Sequence, residues 1–203
     1  HTVLAEKGAL HFRVKATGVA AHGSRTWEGV NAIDRIFQFY NALKALFPSE
    51  PCNDPEHWHP TINLGTIQGG KKVNIVPDFA QAEMDIRFPE PFTFDEMKGK
   101  VENLVQSFPG LEWEILTKAE VVTAQPDNPY VQKYRRAVEE ITGKAPQILR
   151  EHGATDGRFF AEKGIPIVIT YPVGGGIHTP HEWVSIPSLF TLYHIFYRFL
   201  SLL

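Results

Sequence analysis

The strongest constraint in this sequence is period-two alternation that recurs in several segments, with helix-period segments between them. In residues 9–16, Leu10, Phe12, Val14 and Ala16 fall on one side and His11, Arg13 and Lys15 on the other. Alternation of this kind marks a half-buried β-strand. Residues 80–88 repeat it, with Ala80, Ala82, Met84, Ile86 and Phe88 set against Gln81, Glu83, Asp85 and Arg87. Leu111, Trp113 and Ile115 alternate with Glu112 and Glu114, and residues 61–67 read as a further strand. Val30, Ile33, Phe37 and Tyr40, with Ile36 and Leu43 beside them, predict a helix ending near Phe47 and Pro48. Phe94, Met97, Val101, Leu104, Val105 and Phe108 predict a second helix, stopped by Pro109 and Gly110.

The resulting order, strand-helix-strand-strand-helix-strand, is the ferredoxin-like βαββαβ unit. Its usual sheet places the first strand between the third and the fourth. The charges fit that order. Arg13 and Lys15 would face Glu83 and Asp85 on one neighbour and Glu112 and Glu114 on the other. Opposite-charge pairs across strands contribute about 0.2–1 kcal/mol each. This unit is expected to span residues 8–119.

Residues 120–203 have an α/β pattern. A helix over 130–142 is stopped by Gly143, and a short strand follows at 147–150. Gly153, Thr155 and Asp156 then open a helix that runs to Gly164. A buried strand is expected over 165–171, then three glycines (Gly174 to Gly176), His178, His181 and Glu182, and a last helix over 187–203. Glycines at the C-terminal end of a strand let the backbone approach a ligand closely, at the sheet end where ligands bind in open α/β folds. Two strands do not make a doubly wound sheet. The fold class is therefore α/β (α+β), a ferredoxin-like domain followed by an incomplete α/β segment.

Composition excludes several functions. The net charge of −3, without a basic run, argues against a nucleic-acid partner. No apolar run approaches the 18 residues of a membrane span. The single cysteine, Cys52, cannot form an internal disulfide and fits a reducing, cytoplasmic setting. His57 and His59 flank Trp58 in a Pro- and Asp-rich loop. They read as surface loop residues, because no further ligand lies at metal-ligand spacing. The sequence begins at His1 rather than Met, which suggests a fragment or a processed product.

Three motif regions, in this order and spacing, carry a resemblance. They are Gly18-Val-Ala-Ala-His22-Gly-Ser with Trp27-Glu-Gly-Val-Asn31; Val73-Asn74-Ile-Val-Pro77 with Asp85-Ile-Arg87; and Gly153-Ala-Thr155-Asp156-Gly-Arg158 with Gly174-Gly-Gly-Ile-His178-Thr-Pro-His-Glu182. The chain resembles the zinc-dependent di-metal amidohydrolases and exopeptidases, which include succinyl-diaminopimelate desuccinylase, acetylornithine deacetylase, aminoacylase and glutamate carboxypeptidases. The resemblance implies that 8–119 is the lid, or dimerisation, domain and that 120–203 returns into the catalytic domain. In that family two zinc ions occupy each site, most ligands and the general-base glutamate precede the lid, and none of those segments is matched here.

By resemblance, His178 is a metal ligand, and Glu182 is a helix-entry carboxylate or a partner for an imidazole N–H. His22 is a catalytic donor that reaches the oxyanion in the opposite subunit of a homodimer. Asn74, Arg87, Gly153 and Thr155 bind substrate, an N-acyl amino acid or small peptide. From the residues alone, His178 and His22 are also readable as turn and loop histidines, and Arg87 as part of the polar sheet face beside Asp85. Asp156 is also readable as a helix cap and Arg158 as structural. Zinc-dependent amide hydrolysis is the implied chemistry, and the chain by itself is expected to be inactive. The alternative is a stand-alone dimerisation or interaction module without hydrolytic activity, and a weaker one is a ferredoxin-like small-molecule sensor.

Overall fold

Strand β2 (Gly8–Thr17) is paired along its length on both sides, to β4 (Phe79–Phe88) and to β5 (Leu111–Ala119). The computed structural model describes residues 2–47 and 52–203. They divide into two compact units, Lys7–Val121 and a second unit made of the residues up to Glu6 together with Val122–Leu203.

In the first unit, β3 (Thr61–Gly69) completes an antiparallel sheet of order β3-β4-β2-β5. The first strand of the βαββαβ unit does lie between the third and the fourth. Leu10, Phe12, Val14 and Ala16 have no exposed surface, and Ala80 to Phe88 on β4 bury the same alternate positions. These faces form one core with helices α1 (Ala32–Leu46) and α2 (Phe94–Gln106). Asn31 caps α1 by accepting from the backbone N–H groups of Ile33 and Asp34, and Thr93 with Glu96 forms a capping box on α2.

α2 buries Phe94, Met97, Val101 and Val105, as its spacing predicts. α1 differs. Its buried stripe is Ala32, Ile36, Phe39 and Leu43, while Phe37 is 47% exposed. Apolar residues cover so much of this helix that spacing alone leaves its rotation open. Packing selects the rotation that sets Phe39 edge-on to Phe108, with ring centroids 5.9 Å apart. On the open face of the sheet, Arg13 donates to Glu83 and Glu114, and Lys15 lies 3.0 Å from Glu114. Lys15 first, then Arg13, hold the Glu114 carboxyl below the usual range.

The second unit is built on β1 (Thr2–Glu6), which is buried on both faces. It pairs antiparallel with β6 (Val122–Thr123), Glu6 opposite Val122, and parallel with β7 (Ile148–Glu151). Helix α3 (Pro129–Thr142), closed by Gly143 at φ 69°, packs through Tyr134, Ala137 and Val138 on Ile195 of α5 (Ile186–Leu200). Glu140 on α3 accepts from both Arg136 and Arg198 of α5. A short helix, α4 (Gly157–Ala161), and a two-stranded hairpin, β8 (Gly174–Gly175) with β9 (Trp183–Val184), complete the unit.

The expected buried strand over 165–171 is not formed. Only Ile169 makes a bridge, an antiparallel one to Val3, and Ile165 and Tyr171 are 49% and 44% exposed. Pro166 has no N–H to give a ladder at its own position. α5 leaves Phe190, Tyr193 and Tyr197 more than half exposed. No helix among the described residues is long and apolar enough to cross a membrane.

Replacing the fully buried Phe12 by Ala is expected to cost about 3–5 kcal/mol. Urea unfolding followed by the fluorescence of Trp113, whose ring lies edge-on to Phe12 at 5.9 Å, would measure it. The two arginines hold the Glu140 carboxyl down to about 2 from 4.5. A depressed carboxyl stabilises the folded state above its unfolded value and loses that contribution as pH falls through its folded value. The melting-temperature difference between wild type and Glu140→Gln should therefore be present at neutral pH and vanish as the pH approaches about 2.

Candidate functional site

β2 ends and β4 begins at the same end of the sheet, and the two loops that meet there hold His22 and Asn74. Gly18 N–H donates to the Asp78 carbonyl at 2.8 Å, and Val19 and Val30 exchange backbone hydrogen bonds at 2.9 Å. A side chain on Gly18 would collide with the Val30 carbonyl, so the crossing of these segments requires glycine. Further along, His22 bridges Ile75, Gly23 N–H donates to the Asn74 carbonyl at 2.8 Å, and Val76 N–H donates to Ala21. His22 and Asn74 are thus neighbours through their backbones, far apart as they are in sequence.

The His22 ring is exposed and held by Ser24. Its Nδ1 accepts from the Ser24 backbone N–H at 3.2 Å and lies 2.8 Å from Ser24 Oγ. An Nδ1 that accepts puts the proton of the neutral ring on Nε2, where it is available as a donor. Beside it runs an open groove of about 510 Å³, lined by Gly23, Thr26, Lys71, Lys72 and Ile75 among others. Trp27 and Val73 stand almost fully in solvent nearby in sequence, at 78% and 104% exposure.

Arg87 lies elsewhere. It sits eight residues along β4 from Phe79, about 27 Å at about 3.4 Å per residue. Its Nε donates to both oxygens of Asp85 at 2.8 and 3.0 Å, and His11 Nε2 lies 3.2 Å from Arg87 Nη2 and from Asp85 Oδ1. The guanidinium is engaged within the sheet face, and the structure does not bring it to His22.

In the second unit, Thr155 is fixed by a buried carboxylate. Its backbone N–H and hydroxyl both donate to Glu6 Oε2, at 3.1 and 2.9 Å. Glu6 is 1% exposed, and burial pushes its carboxyl up against the two Thr155 hydrogen bonds that lower it. Gly153 is exposed, with open space where a side chain would stand. Asp156 is the N-cap of α4 but makes no side-chain cap bond. Its αR backbone, φ −65° and ψ −9°, is not the extended conformation of a capping side chain.

His178 occupies the tip of the β8–β9 hairpin at φ 63° and is exposed. Glu182 accepts from the His178 backbone N–H at 3.3 Å rather than from the imidazole. No group of three ligating side chains that includes His178 converges among the described residues. The residues present around His178 therefore do not fit a di-metal centre by themselves. Among the described residues the convergent set is Cys52, His57 and His59. That corrects the reading of His57 and His59 as lacking a third ligand, because loop folding returns Cys52 to them.

The sequence profile of the M20 peptidase dimerisation domain matches residues 4–110, more than half of the chain. The chain belongs to the M20 peptidase dimerisation family. That family is one of hydrolases, with metallopeptidases among its members. The M20 chain is 23% identical over 202 residues to succinyl-diaminopimelate desuccinylase of Gluconacetobacter diazotrophicus, covering 98% of this chain and 51% of that protein. Its fold matches a tripeptidase of Staphylococcus aureus with TM-score 0.78 at 23% identity, over 99% of this chain and 53% of the other. It also matches an M20 family metallo-carboxypeptidase of Sulfolobus solfataricus with TM-score 0.79 at 17% identity, over 99% and 59%. The M20 chain spans about half the length of these relatives.

Thr155→Val removes one of two donors to the buried Glu6 carboxyl, a loss of about 1–3 kcal/mol. Because the Glu6 carboxyl is raised, its charged form is the costly one. The folded state is favoured most below 4.5, where Glu6 is protonated in both states, and loses that advantage as pH rises through the raised value. The effect of Thr155→Val should thus be largest at neutral pH and shrink near pH 4.5, as urea unfolding at the two pH values would measure.

Proposed function

We propose that these 203 residues are the dimerisation unit, about 8–119, and the C-terminal portion, 120–203, of the catalytic unit of a zinc-dependent amidohydrolase or exopeptidase. Its substrate class is an N-acyl amino acid or small peptide, and the working form is a homodimer through the first unit. The observation that carries this reading is the dimerisation-domain match over residues 4–110, within which His22 presents its Nε2–H on an exposed loop.

In this reading His22 of one protomer donates from Nε2 to the oxyanion that forms at the partner's reacting carbonyl. Ser24 acts by holding Nδ1 as an acceptor, so that the donor is oriented before substrate arrives. Asn74 lies beside it through the Gly23 hydrogen bond and lines the same side of the substrate. Arg87 binds a substrate carboxylate by its fork only after exchanging Asp85, a substitution of one carboxylate for another. Thr155 and Gly153 are substrate contacts, with Glu6 holding Thr155 in place. Zinc would supply an activated water. His178 is the residue of this chain that would ligate it, and its isolation supports a chain that is inactive alone.

A second reading, a dimerisation module without hydrolytic activity, is favoured by that same isolation of His178 and by the edge strands β3 and β5. Two measurements separate the readings. The 203-residue chain, incubated with zinc and a panel of N-succinyl and N-acetyl amino acids and dipeptides, should give no turnover and should sediment as a dimer. Turnover would remove the proposal of inactivity, and a monomer would remove the homodimer. In the whole enzyme, His22→Ala should lower kcat by about 10²–10³ with little change in KM. An unchanged kcat would show that His22 is not the oxyanion donor.

A further inference from the structure

The loop between α1 and β3 gathers three soft ligating side chains that the hydrolytic reading leaves unused. We propose that Cys52, His57 and His59 bind one zinc(II) ion, with water completing the coordination, and that the ion staples this loop. The proposal is independent of the hydrolytic activity.

The ligand atoms already lie within 4.8 Å of one another. Around a tetrahedral zinc with Zn–N about 2.0–2.1 Å and Zn–S about 2.3 Å, ligand atoms sit about 3.3–3.7 Å apart. Closing the set needs a contraction of about 1 Å, within the reach of side-chain rotation.

His59 is prepared for such a role. Its Nδ1 lies 3.0 Å from the Pro60 carbonyl, which can only accept, so Nδ1 carries the proton. The lone pair is then on Nε2, which is buried and has no hydrogen-bond partner among the described residues. A carbonyl on one ring nitrogen and a bare lone pair on the other is how metal-bound imidazoles are commonly oriented. His57 adopts φ 48°, a left-handed conformation rare for a side-chain-bearing residue, and its ring centroid lies 5.8 Å from that of His59. Cys52 Sγ receives the Asp54 backbone N–H at 3.4 Å and lies 3.5 Å from the Asp54 carbonyl, so zinc would replace the S–H proton that this carbonyl accepts.

The loop backbone that carries these groups is held from inside the unit. Lys7, 1% exposed, donates to the carbonyls of His57 and His59 at 2.9 and 2.8 Å, and its ammonium stands 5.5 Å from the Trp58 ring centroid. Asp54 accepts from the N–H groups of Glu56 and Trp58 at 2.9 and 2.8 Å. The Lys7 charge opposes a cation, but Cys52, which gives up its proton on ligating zinc, and the Asp54 carboxylate outnumber it. Two imidazoles and a thiolate select zinc over magnesium or calcium, which require oxygen donors.

The test uses the full 203-residue chain, freed of metal. Cobalt(II) titration should develop a thiolate-to-metal charge-transfer band that saturates at one equivalent, and zinc should displace it. Zinc affinity, read by competition with a chromogenic chelator, should fall at least tenfold in Cys52→Ser and in His59→Gln. His178→Ala should leave both the band and the affinity unchanged. Circular dichroism checks that each variant is folded, and the two substitutions provide independent arms should one fail to fold. Cobalt binding without the charge-transfer band, equal zinc affinity in wild type and Cys52→Ser, no binding of one equivalent, or loss of the band in His178→Ala would each overturn the assignment.

Discussion

The structure of the first unit depends on burial of one face of β2 while both its edges are hydrogen-bonded. Leu10, Phe12, Val14 and Ala16 anchor the core shared by α1 and α2. The residues between them set the charge seam in which Arg13 joins Glu83 to Glu114. A slip of one residue in the pairing with β4 would exchange the two sets, carrying charges into the core. The same register decides where the loops leave the sheet. Thr17 lies opposite Phe79, so the segments that carry His22 and Asn74 emerge side by side and can lace together. Core packing thus brings the two loops together at the strand ends, and the contacts within them, with Ser24 on the His22 ring, complete the positioning of the candidate oxyanion donor.

The second unit uses a different device. β1 is flanked on both edges and buried on both faces, and its last residue is a carboxylate. Glu6 orders the 153–157 loop through Thr155, whose hydroxyl in turn accepts from Gly157 N–H at the start of α4. One buried carboxyl group thus fixes a turn that has little apolar burial of its own. α3 and α5 pack by a small aromatic and aliphatic cluster, reinforced by Glu140 between two arginines.

Much of the first unit was legible because alternation with period two records which face of a strand meets the core. The rotation of α1 was not, since its apolar residues occupy too wide an arc for spacing to choose among faces. β1 also escaped sequence reading. Residues 2–6 are buried without alternation, and such a short run has no periodic signature. Residues 165–171 failed in the opposite way, as an apolar run that makes a single bridge and no ladder. The site residues divide along similar lines. His22, Asn74 and His178 stand out by motif, but the partner that orients His22, Ser24, is a local backbone contact with no pattern to read. The convergence of Cys52 with His57 and His59 arises from a left-handed residue and a buried lysine distant in sequence, neither of which spacing rules register.

The pairing of Glu6 with Val122 has a topological consequence. The strand that leads out of the second unit and the strand that leads back into it are adjacent antiparallel neighbours, in register at the crossing point. Everything from Lys7 to Val121 is threaded through that single gap. A tight turn joining Glu6 to Val122 would convert β1 and β6 into an ordinary hairpin and leave the three-stranded sheet intact. In architectural terms the larger unit is an insertion, entered from one strand of the host sheet and left by way of that strand's neighbour.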